Sequence, residues 1–412
     1  MTSKLGNAVN TYLGDKYSLR LLLRFLADKY STKRNLSKRS KEQKALYSNP
    51  GKKKLVHVTS FSVSNAGDNV LSECVRVLFN SFFGDFDWDI VRLHDTVDEK
   101  SIERFNSASG VILGGGGVFL PDTNENDISG WQWPCSSEQY ESIVPPVIVF
   151  AVGYNYFNGQ KRECLLEDNI KALVKRSDFF GVRNNGSIHE MQSFLGPELG
   201  GGLVFQPCPT MVSKYLYPDL PVKKTTGKIA FNVALDRPEL RMGSKEHKIL
   251  DEIAVSMRLL RERGYEIHFI THCDWEIRFL EYIRTERVKC SYHHATAWET
   301  DRILNFYNDM DMVIGMRGHG IWIPYGVNTR ILSLDNHNKT RWFLEDIGAL
   351  DWSVDIIKEA EHLSDKILNK VIEINEEHTV ETDRRLVESQ KRLWDTTCIN
   401  LGVIGELLNF GS

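Results

Sequence analysis

The sequence predicts two α/β domains, each built on a doubly wound, mostly parallel β-sheet, that face each other across a cleft. Apolar segments of strand length alternate with amphipathic segments of helix length through most of the chain. A proline-punctuated stretch interrupts this alternation near the middle of the chain. The length of 412 residues also exceeds the usual size of a single hydrophobic core, which favours two domains over one.

The first α/β region is predicted to begin with a strand at Leu55–Phe61. A loop of small and polar residues follows at 62–67, and a helix opens near Asp68. Further strand-length segments rich in β-branched and aromatic residues are Asp87–Arg92, Gly110–Leu113, Val147–Val152 and Phe179–Val182. Intervening helices, such as Lys161–Lys175, would cover both faces of a parallel sheet.

The second α/β region repeats this pattern after a linker at 206–227 that contains four prolines. Its predicted strands are Lys228–Val233, Glu266–Ile270, Met312–Ile314 and Arg330–Leu334, and its helices include 246–263 and 299–308. A final amphipathic helix is expected at Glu381–Asn409. The chain is therefore divided into a basic N-terminal extension at 1–54, domains at 55–221 and 222–380, and a C-terminal helix at 381–412.

Charge is unevenly distributed, although the net charge is only −4. Residues 1–54 carry fourteen Lys and Arg against three acidic residues, a net of +11, so the remainder is near −15. An acidic main body argues against nucleic acid as a partner. Within the extension, Tyr17–Tyr30 is predicted to form a basic amphipathic helix, and Ser31–Lys54 to be poorly ordered.

The predicted N-terminal helix leaves two interpretations open. It can lie on an anionic membrane surface, which would give peripheral membrane contact through residues 1–50, or it can dock onto the protein itself. No apolar run reaches the roughly 18 residues that span a bilayer, and no secretory signal pattern is present. Seven scattered cysteines without a Cys-x-x-Cys motif fit reduced thiols. We expect a cytoplasmic protein, in one interpretation peripheral at the inner face of the membrane, without a metal site.

The most informative motif places Arg317 and His319 directly after the predicted strand Met312–Ile314. Open α/β sheets bind ligands at the carboxyl ends of their strands. A guanidinium keeps its charge, whereas an imidazole titrates near neutral pH, so the pair suits an anion that undergoes proton transfer. The competing interpretation is an arginine bonded to helix-end carbonyls beside a structural, buried histidine.

Three further segments follow predicted strands in the first domain. The run Gly114–Gly117 lacks side chains, which predicts either close approach of a ligand to the backbone of Gly115 and Gly116 or tight packing. It matches neither nucleotide-binding glycine fingerprint. Asn65 and Asp68 follow the first strand, where Asp68 is a candidate for catalysis or for the helix N-cap. Arg183 would add a second cation for the ligand, or else pair with a carboxylate at the surface.

An acidic, aromatic loop between Pro121 and Tyr140 is a candidate for binding a sugar. Trp131 and Trp133 could stack on sugar rings, and the loop carboxylates could accept hydrogen bonds from hydroxyls. The alternative is that both indoles only pin a long loop.

The order of these motifs resembles the polysaccharide pyruvyl transferase family. The residues that carry the resemblance span roughly 55–350, namely Asn65, Gly67 and Asp68, Gly114–Gly117, Arg183 with Ser187, Arg317 and His319, Gly326-Val, and Lys339. The resemblance implies two Rossmann-like domains of the glycosyltransferase-B-like type. It also implies transfer of an enolpyruvyl group from phosphoenolpyruvate to two sugar hydroxyls, which forms a pyruvate ketal and releases phosphate without a further cofactor.

In such a reaction, Arg317, Arg183 and Lys339 would hold the two anionic groups of phosphoenolpyruvate. His319 and Asp68 would supply the acid and base, with the second domain on the donor side and the first on the acceptor side. The acceptor would be a sugar of a cell-surface polysaccharide or its lipid-linked precursor. One departure is that no histidine occurs between His94 and His189.

Two alternatives remain open from the sequence. A nucleotide-sugar-dependent glycosyltransferase of similar two-domain fold would use Arg317 and Lys339 for a diphosphate. A non-catalytic glycan-binding scaffold would need neither Arg317 nor His319 for its function.

Overall fold

Two six-stranded sheets form the framework, and all paired strands within each sheet are parallel. They are seen in a computed structural model that describes residue 34 and residues 36–61, 63–157, 159–161 and 163–409. Helices connect successive strands in both sheets. The predicted class of two doubly wound α/β domains is thereby confirmed.

The first sheet has the strand order β2-β1-β3-β4-β5-β6. Its strands are β1 (Lys54–Thr59), β2 (Asp87–Arg92), β3 (Gly110–Phe119), β4 (Val147–Tyr154), β5 (Phe179–Val182) and β6 (Val204–Phe205). The accompanying helices are α1 (36–46), α2 (Ala66–Phe83), α3 (Glu99–Asn106), α4 (Ser137–Glu141), α5 (Cys164–Arg176) and α6 (Asn185–Gly200). Every residue of β4 is buried because helices cover both faces of the sheet.

The second sheet has the order β12-β11-β10-β7-β8-β9. Its strands are β7 (Lys228–Asn232), β8 (Glu266–Thr271), β9 (Ser291–His294), β10 (Met312–Gly315), β11 (Arg330–Asp335) and β12 (Ser353–Asp355). The remaining helices are α7 (Ser213–Leu216), α8 (Pro238–Met242), α9 (Glu246–Glu262), α10 (Leu280–Thr285), α11 (Thr300–Asn308), α12 (Gly318–Gly326), α13 (Asn338–Ile347), α14 (Leu363–Ile372) and α15 (Thr379–Leu407).

Each sheet has one point at which the winding reverses. In the first sheet the chain moves from β1 outward to β2 and then returns to place β3 on the other side of β1. In the second sheet the same reversal separates β7 from β10. A crevice opens outside the carboxyl ends of the strands at such a point, and ligands of open α/β sheets bind there.

Helix α1 corrects one expectation for the basic extension. Residues 36–46 are helical rather than poorly ordered, and they join the two domains. Arg39 donates to the carbonyl of Trp298 and to Thr300 Oγ1 in the second domain, whereas Gln43 accepts from Arg76 of the first. The predicted helix Tyr17–Tyr30 lies outside the described residues, so membrane contact through residues 1–50 stays a prediction.

The C-terminal helix α15 provides a second connection between the domains. Gln390 Nε2 donates to the carbonyl oxygens of Met211 and Tyr325, and Asn400 Nδ2 donates to that of Phe205. The relative placement of the two sheets is therefore fixed by the contacts of α1 and α15.

Among the described helices, none is both long and apolar enough to cross a lipid bilayer.

The buried His57 on β1 gives a testable pH dependence. Its Nε2 donates to the carbonyl of Gly114 at 2.5 Å, and Arg76 Nη1 donates to its Nδ1 at 3.2 Å. Burial, with the Arg76 charge in addition, lowers the pKa of His57 to about 3. The folded state therefore excludes a proton that the unfolded chain takes up below about pH 6.5, so this contribution to stability is lost as the pH falls from there.

We expect His57→Gln to reduce the acid sensitivity of folding. A shift of this size corresponds to about 1.4 kcal/mol per pH unit between about pH 6.5 and 3. Between pH 7 and pH 5, the wild-type protein should lose about 2 kcal/mol more unfolding free energy than His57→Gln, measured by urea denaturation. Equal losses in the two proteins would contradict the protonation of His57 as a cause.

Candidate active site

A cleft of about 270 Å³ lies where the carboxyl edges of the two sheets face each other. The first domain contributes residues that follow or end its strands, including Ser60, Asn65, Asp68, Gly115, Gly116, Gly117, Asn155 and Arg183. The second domain contributes Asp236, Arg237, Trp275, Arg317, His319, Trp322 and Lys339. The cleft thus lies at both reversal points, and every predicted site residue except Trp131 and Trp133 lines it.

Arg183 is the most unusual charge in the cleft. Its side chain follows β5, is only 3% exposed, and stacks over Trp322 with the guanidinium 4.7 Å from the ring centre. Its Nη2 donates weakly to Asn155 at 3.4 Å, and its Nε has no partner. Among the described residues no carboxylate forms an ion pair with it. Burial lowers the pKa of Arg183 to about 10, so the group is still cationic at neutral pH.

Glycine at position 153 creates the space for this guanidinium. A Cβ atom on Gly153 would lie 2.2 Å from Arg183 Nε, and one on Gly117 would lie 3.0 Å from Arg183 Nη2. Both separations are shorter than van der Waals contact, so neither position accepts a side chain while Arg183 stays in place. The glycines at the ends of β3 and β4 therefore serve this close approach.

The protonation of the Lys339 amine depends on whether an anion is bound in the cleft. It lies at the start of α13, just beyond β11. Burial, together with the positive Arg241 and Arg183, lowers the pKa of Lys339 well below its ordinary value. In the described part of the chain, no carboxylate pairs with its Nζ. A bound anion would favour the protonated amine again.

Arg317 lines the cleft, but its guanidinium group is already paired. Its Nε donates to Glu276 at 2.6 Å and its Nη2 donates to Asp236 at 2.7 Å. Two carboxylates therefore already offset its charge. Asp236 also accepts from Arg241 at 2.9 Å, and although burial opposes it, the arginines hold the pKa of Asp236 well below its usual range. These ion pairs connect the segments that follow β7, β8 and β10, and the expectation that Arg317 holds the ligand stays a prediction.

His319 and Asp68 lie close together in the cleft. Their Nδ1 and Oδ1 atoms are 3.6 Å apart, slightly beyond hydrogen-bond length. A Cβ on Gly67 would lie 2.4 Å from that of His319, so glycine permits this approach. Burial and nearby Arg183 lower the pKa of His319 well below its usual range, whereas burial raises the pKa of Asp68. The expectation of an unperturbed histidine is therefore wrong.

The segment after β1 and the segment after β8 are held together at the start of α2. Asn65, not Asp68, is the N-cap, because its side chain accepts from the backbone N–H of Gly67 at 3.1 Å. Asn65 Nδ2 also donates to Asp68 at 2.7 Å. The backbone N–H of Ala66 donates to the carbonyl of His272, which fixes the loop of the second domain against this helix.

A family-level sequence model described as polysaccharide pyruvyl transferase matches residues 8–338. The chain belongs to this family. The match includes Asp68, Arg183, Arg317 and His319, and every other ionisable residue that lines the cleft except Lys339. No curated protein sequence matches this pyruvyl transferase family member.

Solved structures share the fold of this pyruvyl transferase family member at low sequence identity. A putative UDP-N-acetylglucosamine 2-epimerase from Listeria monocytogenes gives a TM-score of 0.56 at 9% identity, with 88% of this chain and 98% of that chain covered. A glycosyltransferase from Rickettsia africae gives 0.54 at 13%, covering 87% and 99%. The Neisseria meningitidis UDP-GlcNAc 2-epimerase bound to UDP-GlcNAc gives 0.52 at 9%, covering 86% and 100%. These likenesses confirm the glycosyltransferase-B-like, two-domain fold.

Trp131 and Trp133 do not belong to the cleft of the transferase. Both side chains are 0% exposed in the core of the first domain. Trp131 Nε1 donates to Asn169 at 2.6 Å, and its ring contacts Phe119 at a centroid distance of 4.9 Å. The prediction that they stack on a sugar is wrong, and the alternative that they pin the loop is what the structure shows.

In the described ranges no three His, Cys, Asp or Glu side chains are grouped to hold a metal ion.

Sequence reasoning missed several residues that the second domain contributes to the cleft. Asp236 and Arg237 follow β7, and Trp275 and Glu276 follow β8, each at the carboxyl end of a strand. The rule that selected Arg317 after β10 would have selected them as well, because all three strands end at the same edge. Arg237 also reaches across the cleft and donates to Asp122 at 2.6 and 2.7 Å.

Proposed function

We propose that this polysaccharide pyruvyl transferase takes its donor group from phosphoenolpyruvate. The observation that carries the proposal is the buried, unpaired guanidinium of Arg183 in the cleft. A buried cation without a counter-ion is unfavourable, so such a site fits a ligand that brings negative charge. Phosphoenolpyruvate brings two anionic groups, a carboxylate and a phosphate, and Lys339 is placed to gain a proton beside the second.

Backbone groups support the same ligand. Helix α12 begins at the cleft, at Gly318, and its N-cap residue Arg317 forms no side-chain cap. Helix N-termini present free N–H groups and a partial positive charge, which favour anions. In the first domain, the wall at Gly115 and Gly116 carries no side chains, so a small donor can approach the main chain closely.

The reaction we propose begins with protonation of the methylene carbon of phosphoenolpyruvate. The adjacent carbon becomes oxocarbenium-like, and a sugar hydroxyl attacks it and loses its proton. The carbon–oxygen bond to phosphate then breaks, and a second hydroxyl of the same sugar closes the ketal ring. Its proton leaves with phosphate, so the products are the cyclic pyruvate ketal and hydrogen phosphate.

Asp68 and His319 are suited to opposite halves of this proton transfer. The raised pKa of Asp68 favours a protonated carboxyl, which can donate to the methylene carbon. The lowered pKa of His319 favours a neutral imidazole, which can accept the hydroxyl proton. Because their side chains are 3.6 Å apart, a small movement would return the proton from His319 to Asp68 for the next turnover.

A nucleotide-sugar-dependent glycosyltransferase is the second candidate. It is favoured by the shared fold of the Neisseria protein described as bound to UDP-GlcNAc. The cleft volume of about 270 Å³ is near the lower end of the roughly 300–1,000 Å³ of typical drug-sized sites, so a donor of the size of phosphoenolpyruvate fits within it.

The deciding experiment incubates the purified protein with phosphoenolpyruvate and a panel of methyl hexosides and lipid-linked oligosaccharides. Release of phosphate together with the mass of a pyruvate ketal on the acceptor is the expected result. Thermal denaturation separates the two candidates, since phosphoenolpyruvate should raise the unfolding midpoint and UDP should not. Stabilisation by UDP alone would favour the glycosyltransferase instead.

A further inference from the structure

Trp275 supplies an aromatic surface in the cleft that the donor chemistry does not use. It follows β8 in the second domain, packs partly against the hydrophobic core, and lines the cleft with the rest of its side chain. Its indole Nε1 is shielded from water and has no hydrogen-bond partner among the residues described. The Nε1 atom therefore does not face the cleft, and Trp275 offers a ligand the apolar face of its ring.

Three first-domain residues of the cleft add polar groups to the aromatic surface of Trp275. Ser60, Asn65 and Asp68 line the same cleft, and they offer a hydroxyl, an amide and a carboxyl group. Asp68 is the only ionisable group of these four residues.

The loop that carries Trp275 is fixed against the helix that carries Asp68. Asn65 and Cys273 form an isolated antiparallel bridge, and the N–H of Ala66 donates to the carbonyl of His272 at 2.9 Å. Glu276, the next residue after Trp275, accepts from the backbone N–H of His272 at 2.6 Å and holds Arg317. The indole is therefore presented from a rigid loop, although it belongs to the opposite domain.

We infer that Trp275, Ser60, Asn65 and Asp68 form the subsite for the acceptor sugar. The inference deepens the proposed function and rests on it. A pyranose ring has apolar faces that stack on an indole, and its hydroxyls suit the serine, the asparagine and the carboxyl group of Asp68. The ligand class is a neutral hexopyranoside with two neighbouring hydroxyls. Trp275 thus takes the role that the sequence suggested for Trp131 and Trp133.

This placement also brings the sugar to the proton-transfer pair. Asp68 belongs both to the subsite and to the pair, and His319 Nδ1 lies 3.6 Å from its Oδ1. A hydroxyl of a ring stacked on Trp275 and bonded near Asp68 would face the imidazole that accepts its proton. Trp275 acts as a specificity-determining residue that selects and orients the acceptor.

Steady-state kinetics of two variants test the subsite. Trp275→Phe keeps an aromatic ring but reduces the stacking surface, so we expect the KM for the methyl hexoside acceptor to rise about threefold. Trp275→Ala removes the stacking surface, so we expect a rise of about tenfold or more. The KM for phosphoenolpyruvate, and the thermal shift that it induces, should stay within about twofold of wild type in both.

Trp298→Ala is the matched control. Trp298 also packs against the core of the second domain and carries a stacked arginine, Arg302, but it does not line the cleft. Both KM values should stay unchanged in this variant. If Trp275→Ala fails to fold, judged by its circular dichroism and unfolding midpoint, Trp275→Phe decides the test.

The outcomes separate the subsite from the proposed function. An unchanged acceptor KM in Trp275→Phe and in folded Trp275→Ala overturns the subsite, as does an equal rise in the KM of donor and acceptor. If the wild type neither binds phosphoenolpyruvate nor releases phosphate, the proposed function fails instead. Saturation-transfer NMR with the methyl hexosides then tests sugar binding directly and needs no reaction. Loss of the signal in Trp275→Phe but not in Trp298→Ala would support the subsite.

Discussion

Replacing Arg183 by methionine is expected to stabilise the ligand-free protein and to weaken binding of phosphoenolpyruvate at least about 100-fold. The guanidinium is buried without a counter-ion, and removing an uncompensated buried charge relieves a desolvation penalty. We expect a gain of about 1–3 kcal/mol in unfolding free energy after the loss of its stacking on Trp322 is included. Stability and ligand binding should therefore change in opposite directions.

Arg302→Met is the control for this prediction. Arg302 stacks on Trp298 at 3.9 Å, much as Arg183 stacks on Trp322, but it is exposed and lies outside the cleft. Chemical denaturation without ligand and calorimetric titration with phosphoenolpyruvate should show changes only for Arg183→Met. A less stable Arg183→Met protein, or one with wild-type affinity, would remove the basis of the proposed function.

Asp68→Asn and His319→Gln are each expected to lower kcat by about 10²–10⁴ while phosphoenolpyruvate still raises the unfolding midpoint. Asparagine can still accept the hydrogen bond from Asn65, so the start of α2 should persist. The double variant should be little slower than the single variants, because the two groups act in one proton-transfer unit. Independent, multiplicative losses would show that the groups act separately.

The pH profile assigns the two groups. A raised pKa of Asp68 means that activity declines as rising pH removes its proton, and a lowered pKa of His319 means that the acid decline begins well below pH 6.5. Asp68→Asn should abolish the alkaline decline in its residual activity. An alkaline decline that persists in Asp68→Asn would assign the acid role to another group.

The fold was predictable because the signals are local. Buried parallel strands such as β4 are short, continuous apolar runs, and turn residues bound them. Two features were less accessible. Strand β3 continues through the glycine run to Phe119, whereas the predicted strand ended at Leu113, because neighbouring strands supply hydrogen bonds that glycine propensity does not reveal. Helix 36–46 gains its order from partners such as Arg76 and Thr300, far away in the sequence.

The site was predictable only as far as strand ends could be recognised. Asp68, Arg183, Arg317 and His319 were found by position, and the structure places them in one cleft. What the sequence could not reveal is which charges are already paired. Arg317 and Arg183 look equivalent in the sequence, yet carboxylates on two other loops offset only Arg317. Pairing and burial are properties of the assembled fold. Burial also removes Trp131 from the cleft and lowers the pKa of His319, and the sequence indicated neither.

The absence of a side chain at position 153 has an evolutionary consequence. A single methyl group there would overlap the Arg183 guanidinium while leaving the pairing of β4 with its neighbours untouched. A homologue that carries alanine or a larger residue at the equivalent point could thus keep the architecture while its arginine is displaced. Under the proposed function, such a homologue is expected to bind phosphoenolpyruvate less tightly than this protein does.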